Sequence, residues 1–176
     1  MKIIKKPVAL QKEMLPLRKK NISIGLVPTM GALHEGHISL IKKSVKENDK
    51  TLVSIFVNPT QFEPNEDYLK YPRPLDKDLK ICKAQNVDYV FCPSVLDMFD
   101  NSYKTFIEVL EMQNILCGAV RKNHFRGVAT VVAKLFNISQ ASKAYFGLKD
   151  FQQVKIIQKM SKDLNFPVKI IACPLI

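Results

Sequence analysis

Apolar positions along this chain fall into two alternating periods. Short continuous runs of β-branched and aromatic residues predict strands over 22–27, 51–57, 87–91, 105–109, 143–146 and 168–173. Between them, apolar residues recur every three to four positions and predict helices over 7–20, 38–48, 74–85, 127–137 and 151–164. Strand and helix patterns that alternate in this way predict an α/β fold, a Rossmann-like parallel sheet with helices on both faces. Right-handed crossovers place ligands beyond the C-terminal ends of such strands, where the strand order reverses. The stretch 58–74 holds four prolines and has no period, so it reads as a long loop of the kind that carries function.

Composition narrows the class without changing this picture. With 176 residues, 47% hydrophobic and 24% charged, the chain fits one domain with a real core, read as spanning 1–176. No apolar run approaches the ~18 residues of a membrane helix, and the start of the chain has no signal-peptide pattern, so the expected location is cytoplasmic with no membrane partner. Cys82, Cys92, Cys117 and Cys173 are scattered with no C-x-x-C pair, and the reading is four reduced thiols, no disulfide and no metal site. A net charge of +11 suits an anionic ligand or nucleic acid, but the lysines spread along most of the chain as a solvated surface would. Nucleic acid is therefore not an expected partner. The last residues, Cys173-Pro174-Leu175-Ile176, follow a strand-like run directly, and the expectation is that more chain follows.

Candidate chemistry sits at the predicted strand ends. Pro28-Thr29-Met30-Gly31-Ala32-Leu33-His34-Glu35-Gly36-His37 is a glycine-rich turn between a strand and a helix, where free N–H groups and the helix dipole favour an anion. It lacks the Lys-Ser/Thr of a Walker P-loop, and its histidines stand at i,i+3 rather than the i,i+4 of a zincin helix. Two imidazoles beside a helix start can instead donate hydrogen bonds to phosphate oxygens. The plainer alternative is that they only cap and pack.

Three further clusters follow. In 144–153, strand, glycine and helix recur; Asp150-x-x-Gln153 has the spacing of a helix cap with its capping-box partner, and Lys149 is either a phosphate ligand or one more surface lysine. In 54–62 a strand runs into a polar loop where Gln61 offers a donor and an acceptor. In 121–127 a basic turn opens an apolar helix.

Together and in this order, these residues resemble the N-terminal domain of the pantothenate synthetase (pantoate:beta-alanine ligase) family. The resemblance rests on P-T-M-G-x-L-H-x-G-H at 28–37, S-I-F-V-N-P-T-Q-F at 54–62, Y-P-R at 71–73, H-F-R-G-V at 124–128 and F-G-x-K-D-x-Q-Q at 146–153. The H-x-G-H element is shared with nucleotidyltransferases and class I aminoacyl-tRNA synthetases; the second and last elements narrow the choice.

The resemblance implies ATP-dependent activation of pantoate to pantoyl adenylate, then attack by beta-alanine to give pantothenate and AMP, with Mg2+ accompanying ATP. It implies that Met30, Gly31, Ala32, Leu33, His34, Glu35, Gly36, His37, Gly147, Leu148, Lys149, Asp150 and Ile176 meet ATP. His34, His37 and Lys149 would be catalytic, with His37 as proton donor. Gln61 and Gln153 would bind pantoate against Met30, Phe62, Val131 and Val132. Tyr71, with Gln61, would serve beta-alanine, and Asn58 and Arg121 would be supports. It also implies a homodimer, and a C-terminal lid domain beyond Ile176 whose absence from these 176 residues would reduce or abolish activity. Two rival readings stay open: another H-x-G-H adenylyl- or cytidylyltransferase, and a non-catalytic basic binding domain.

Overall fold

A computed structural model describes residues 1–63, 68–115, 117–121 and 123–174. In chain order the elements are β1 (Lys2–Ile4), α1 (Pro7–Lys19), β2 (Ile24–Thr29), α2 (Glu35–Glu47), β3 (Lys50–Ile55), α3 (Leu75–Ala84), β4 (Tyr89–Phe91), α4 (Val95–Met98), α5 (Cys117–Val120), α6 (His124–Ser139), β5 (Lys143–Gly147), α7 (Phe151–Asp163) and β6 (Lys169–Cys173). Short 3-10 turns at Pro59–Gln61, Met112–Asn114 and Leu148–Asp150 complete the path.

The six strands form one sheet in the order β1-β4-β3-β2-β5-β6, every neighbouring pair parallel. This is the expected Rossmann-like arrangement. Side chains alternate across each strand, so two cores form. Ile24, Leu26, Leu52, Ala144 and Phe146 face α1, α6 and α7, whereas Val27, Val53, Val90 and Tyr145 face α2 and α3.

From β2 the chain runs outward through β3 and β4 on one side, and β5 and β6 extend the other. The order therefore reverses between β2 and β5. These two strands pair in register only at Gly25↔Lys143 and Leu26↔Ala144, although both run three residues further. Their C-terminal ends thus splay apart, and the crevice a ligand needs opens between them.

Among the strands, two features differ from the sequence reading. β1 carries no periodic signal because it is three residues long and includes a lysine. The segment 105–109 is no strand of the sheet: Ile107 N–H donates to Thr130 Oγ1 at 2.9 Å, Val109 is buried, and the Arg126 guanidinium lies 4.1 Å from the Phe106 ring centre. Its alternating β-branched and aromatic residues pack across α6 rather than beside another strand.

The five expected helices begin and end within a few residues of their bounds, whereas the four-residue helices α4 and α5 have no counterpart in the sequence reading. The largest shifts are at α2 and α6, each of which starts three residues early, at Glu35 and His124.

Candidate active site

The turn after β2 is braced from several sides. Thr29 Oγ1 accepts from Gly31 N–H at 3.1 Å and donates to the Ser54 carbonyl at 2.7 Å. Gly31 and Ala32 both adopt left-handed backbone, with φ of 85° and 51°. This conformation turns successive N–H groups inward, toward the Asp78 carboxylate on α3. Its two oxygens accept from Ala32 N–H at 2.9 Å and Leu33 N–H at 2.8 Å, and the residue is 1% exposed. Two N–H donors stabilise a buried carboxylate that would otherwise be costly.

The histidines cap the helix and still line the cavity between β2 and β5. His34 is the N-cap of α2, and its Nδ1 accepts from Gly36 N–H at 3.1 Å. His37 Nδ1 accepts from His34 N–H at 3.4 Å, and the two rings stand 4.1 Å apart between centres. An imidazole that accepts at Nδ1 carries its proton at Nε2 in the neutral state. Both rings therefore keep an Nε2–H to offer, and capping and anion binding are compatible.

This corrects one expectation. The N–H groups of Gly31, Ala32, Leu33, His34 and Gly36 are engaged within the protein, so what the turn has left to offer an anion is chiefly its imidazole edges. Burial lowers the His37 pKa to about 4, helped by the neighbouring His34 and Lys149 and opposed by Asp78. At neutral pH His37 is an uncharged donor.

Across the crevice, β5 ends at Gly147 and a 3-10 turn carries Leu148, Lys149 and Asp150 into α7. Asp150 occupies the N-cap position, yet its side chain makes no capping bond, so the capping-box reading of Asp150 and Gln153 does not hold. Both residues line the cavity instead. Gln152 does anchor locally, donating to the carbonyls of Met112 at 2.9 Å and Ile115 at 2.7 Å.

The third wall is the turn Pro59–Gln61, seated on α6 at Gly127. A Cβ there would run into the Thr60 carbonyl oxygen and stand 2.7 Å from the Gln61 nitrogen. Only glycine allows this approach. Asn58, 1% exposed, accepts at Oδ1 from Thr60 N–H and Oγ1, which identifies that atom as oxygen. Its Nδ2 donates to Gly127 carbonyl and to Gln61 Oε1, both at 3.1 Å. Gln61 therefore keeps its Nε2 donor for the cavity.

His124 completes the support. Its Nε2 is 3.2 Å from Arg121 Nη1, a group that can only donate, so Nδ1–H donates to the Gln61 carbonyl at 2.9 Å.

A cavity of about 330 Å³ lies among these walls. Of the residues singled out from sequence, Met30, His34, His37, Asn58, Gln61, Tyr71, Val131, Val132, Lys149, Asp150 and Gln153 line it. Val128, Val131, Val132 and Leu135 recur at helical spacing, so one face of α6 forms the apolar wall.

Gly31, Ala32, Leu33, Glu35, Gly36, Gly147 and Leu148 shape the two turns without lining the cavity. Phe62 lies behind Tyr71, their ring centres 6.0 Å apart, while Phe56 and Phe146 supply aromatic wall in its place. Arg121 reaches the site through His124, and Ile176 lies outside the described residues. Ser54 and His124 stand in the sequence motifs without an individual role, and Asp78 lies in none of them. Asp78 sits on a lysine-rich helix where a carboxylate reads as solvated, and nothing local pairs it with a turn more than forty residues earlier.

The sequence model of the Pantoate-beta-alanine ligase family matches residues 2–176. The chain belongs to the pantoate-beta-alanine ligase family. It is 69% identical over all 176 residues to the pantothenate synthetase of Endomicrobium trichonymphae, and 55% identical to that of a Sulfurihydrogenibium strain. Those matches span 62% and 63% of the relatives' own lengths, so the chain corresponds to less than two thirds of these family members.

Solved structures of the family superpose closely. Pantothenate synthetase from Thermus thermophilus matches with a TM-score of 0.95 at 40% identity, covering 100% of this chain and 62% of that one. The Francisella tularensis pantoate-beta-alanine ligase, solved with beta-gamma ATP and beta-alanine, matches with a TM-score of 0.93 at 47% identity, covering 99% of this chain and 67% of that one.

Proposed function

We propose that the chain is the nucleotide- and pantoate-binding part of an ATP-dependent pantoate:beta-alanine ligase. The observation that carries this reading is the convergence, in one cavity at the splayed ends of β2 and β5, of two Nε2–H imidazole donors, the Lys149 ammonium and the amides of Gln61 and Gln153 beside an apolar wall. Cationic and neutral donors suit a triphosphate, and two amides against α6 suit a small branched hydroxy acid.

In the first step a carboxylate oxygen of pantoate attacks the α-phosphorus of ATP, and the bond from that phosphorus to the bridging oxygen of pyrophosphate breaks. His34, His37 and Lys149 hold the charge that gathers on the departing phosphates. A triphosphate beside His37 raises the affinity of its ring for a proton, which then serves pyrophosphate as it leaves. In the second step the amine of beta-alanine, admitted past Tyr71, attacks the acyl carbon, AMP departs, and the amine's extra proton passes to solvent. Positioning and preorganised charge supply most of the rate in such chemistry.

Magnesium would enter on the phosphates of ATP. Asp150 is the carboxylate lining the cavity, whereas Asp78 is already committed to backbone N–H groups. Among the described residues no cluster of three His, Cys, Asp or Glu side chains forms a resident metal site.

The protein would work in the cytoplasm as a homodimer. No helix among the described residues is long and apolar enough to cross a membrane. Leu110 at 72% exposure and Val120 at 78% are large apolar side chains that a second copy would cover. Sedimentation at micromolar concentration reads the dimer directly.

The deciding experiment is pantoate-dependent exchange of labelled pyrophosphate into ATP, with magnesium and without beta-alanine. Exchange that needs pantoate establishes the adenylating half-reaction. Silence both in this chain and in one extended to the full length of its relatives ends the reading.

A further inference from the structure

Ser54 lies on β3 with its side chain toward α6, the same side as Leu52 and Phe56. The residue is 1% exposed, and its carbonyl is occupied by Thr29 Oγ1. Its hydroxyl has no hydrogen-bond partner within the protein, although it is buried. Buried hydroxyls are nearly always paired, and leaving one unpaired is costly. Of the side-chain atoms in this condition among the described residues, the Ser54 hydroxyl is the one in a residue that lines the cavity of the candidate site. Its neighbours in that lining are Asn58 and Gln61 from the following turn and Val131 and Val132 from α6.

We infer that the Ser54 hydroxyl is a substrate contact at the floor of this cavity, completing its hydrogen bond with a hydroxyl or carboxylate oxygen of the bound hydroxy acid. The inference rests on the proposed pantoate site. Chemistry favours this partner over the nucleotide. Ser54 sits on the Gln61 and α6 side, among apolar groups that fit a branched acid, whereas the phosphate donors His34, His37 and Lys149 belong to the turns after β2 and β5. A hydroxyl can donate to a carboxylate or exchange a hydrogen bond with another hydroxyl, so it serves either group of the acid. Gln61 offers its Nε2, and Ser54 adds a second polar point that fixes how the acid lies against the apolar wall.

The inference makes an unusual prediction for a buried polar residue. In the ligand-free protein, Ser54→Ala removes an atom that makes no bond, so its denaturation midpoint equals or exceeds that of the parent. In the same protein, affinity for pantoate falls roughly tenfold, the scale of one hydrogen bond to a ligand group left unpaired, while affinity for ATP is unchanged. Calorimetric titration with pantoate and with ATP, beside urea denaturation without ligand, reads all three quantities. Ser54→Thr keeps the hydroxyl and holds pantoate more tightly than Ser54→Ala does.

A lower midpoint for Ser54→Ala in the ligand-free protein means the hydroxyl is already engaged internally, and overturns the inference. Unchanged pantoate affinity in Ser54→Ala also overturns it, as expected of a hydroxyl that only meets water. If the parent protein and a chain extended to the full length of its relatives both bind ATP but no pantoate, the functional reading itself fails and takes this contact with it, an outcome distinct from the other two.

Discussion

The two turns that flank the crevice are built on opposite principles. The turn after β2 is held by Thr29, by both oxygens of Asp78 and by mutual capping of His34 and His37, so nearly every polar group in it has a fixed partner. In the turn after β5, a Cβ at Gly147 would meet nothing within 4 Å, Asp150 makes no capping bond, and Lys149 is exposed. On the proposed reading, one wall would present donors in set positions, as stabilisation of developing charge requires, and the other would offer a phosphate the long side chain of Lys149. The contrast sets a densely hydrogen-bonded edge of the splayed sheet against a sparsely bonded one.

The strongest challenge to this contrast removes one donor from each wall. His34→Ala or Lys149→Ala is expected to lower pantoate-dependent pyrophosphate exchange by at least ~100-fold, the scale of losing one preorganised donor. Near-normal exchange in both variants would remove the roles assigned to either wall.

Stability separates the walls next. Asp78→Ala strands two backbone donors and should cost about 1–3 kcal/mol in urea denaturation. Gly31→Ala should cost about 1–2 kcal/mol, because φ is 85° and the new Cβ would stand 3.0 Å from an Asp78 oxygen. Parent-like midpoints in both would mean that the bracing is incidental.

A subtler difference is electrostatic. The free protein's His37 should titrate near pH 4 in NMR, well below the ordinary histidine value near 6.5, and ATP should raise it. Because the unfolded chain takes up this proton near 6.5 and the folded one only near 4, acidification through that window favours unfolding. The contribution to stability is present above pH 6.5 and lost as pH falls toward 4. A free-protein titration at 6.5 would place His37 in water rather than in the braced wall. The smallest effect belongs to the sparsely bonded side, where Gly147→Ala should change stability by no more than ~0.5 kcal/mol.

Much of this is written locally in the chain and some of it is not. The β2 run, the glycines after it, the paired histidines and the amides near strand ends announce themselves by spacing, because a strand end, a tight turn and a helix start each need particular residues within a few positions. What spacing cannot reveal is a partner supplied from elsewhere. Asp78 looks like one charge among lysines until α3 docks against the turn, and His124 looks like part of a basic loop until Gln61 settles on Gly127. The 105–109 segment shows the converse. Alternation makes it a plausible strand, but its bonding is drawn off by Thr130 on α6. The early start of α2 has the same root, since a glycine at 36 reads as a break until His34 is seen capping it.

The arrangement of one amide also has a chemical outcome. Thr60 fixes the orientation of Asn58, Asn58 donates to one lone pair of the Gln61 oxygen, and the Gln61 N–H groups remain as its donors toward the cavity. Such a surface discriminates by the polarity of what it faces. A free acid brings lone pairs to meet it, whereas the primary amide of the same molecule, alike in size and methyl groups, can bring hydrogen against hydrogen. On the proposed reading, a free carboxylate would thereby be favoured over its amide before ATP reacts, through the order in which three side chains exchange their hydrogen bonds.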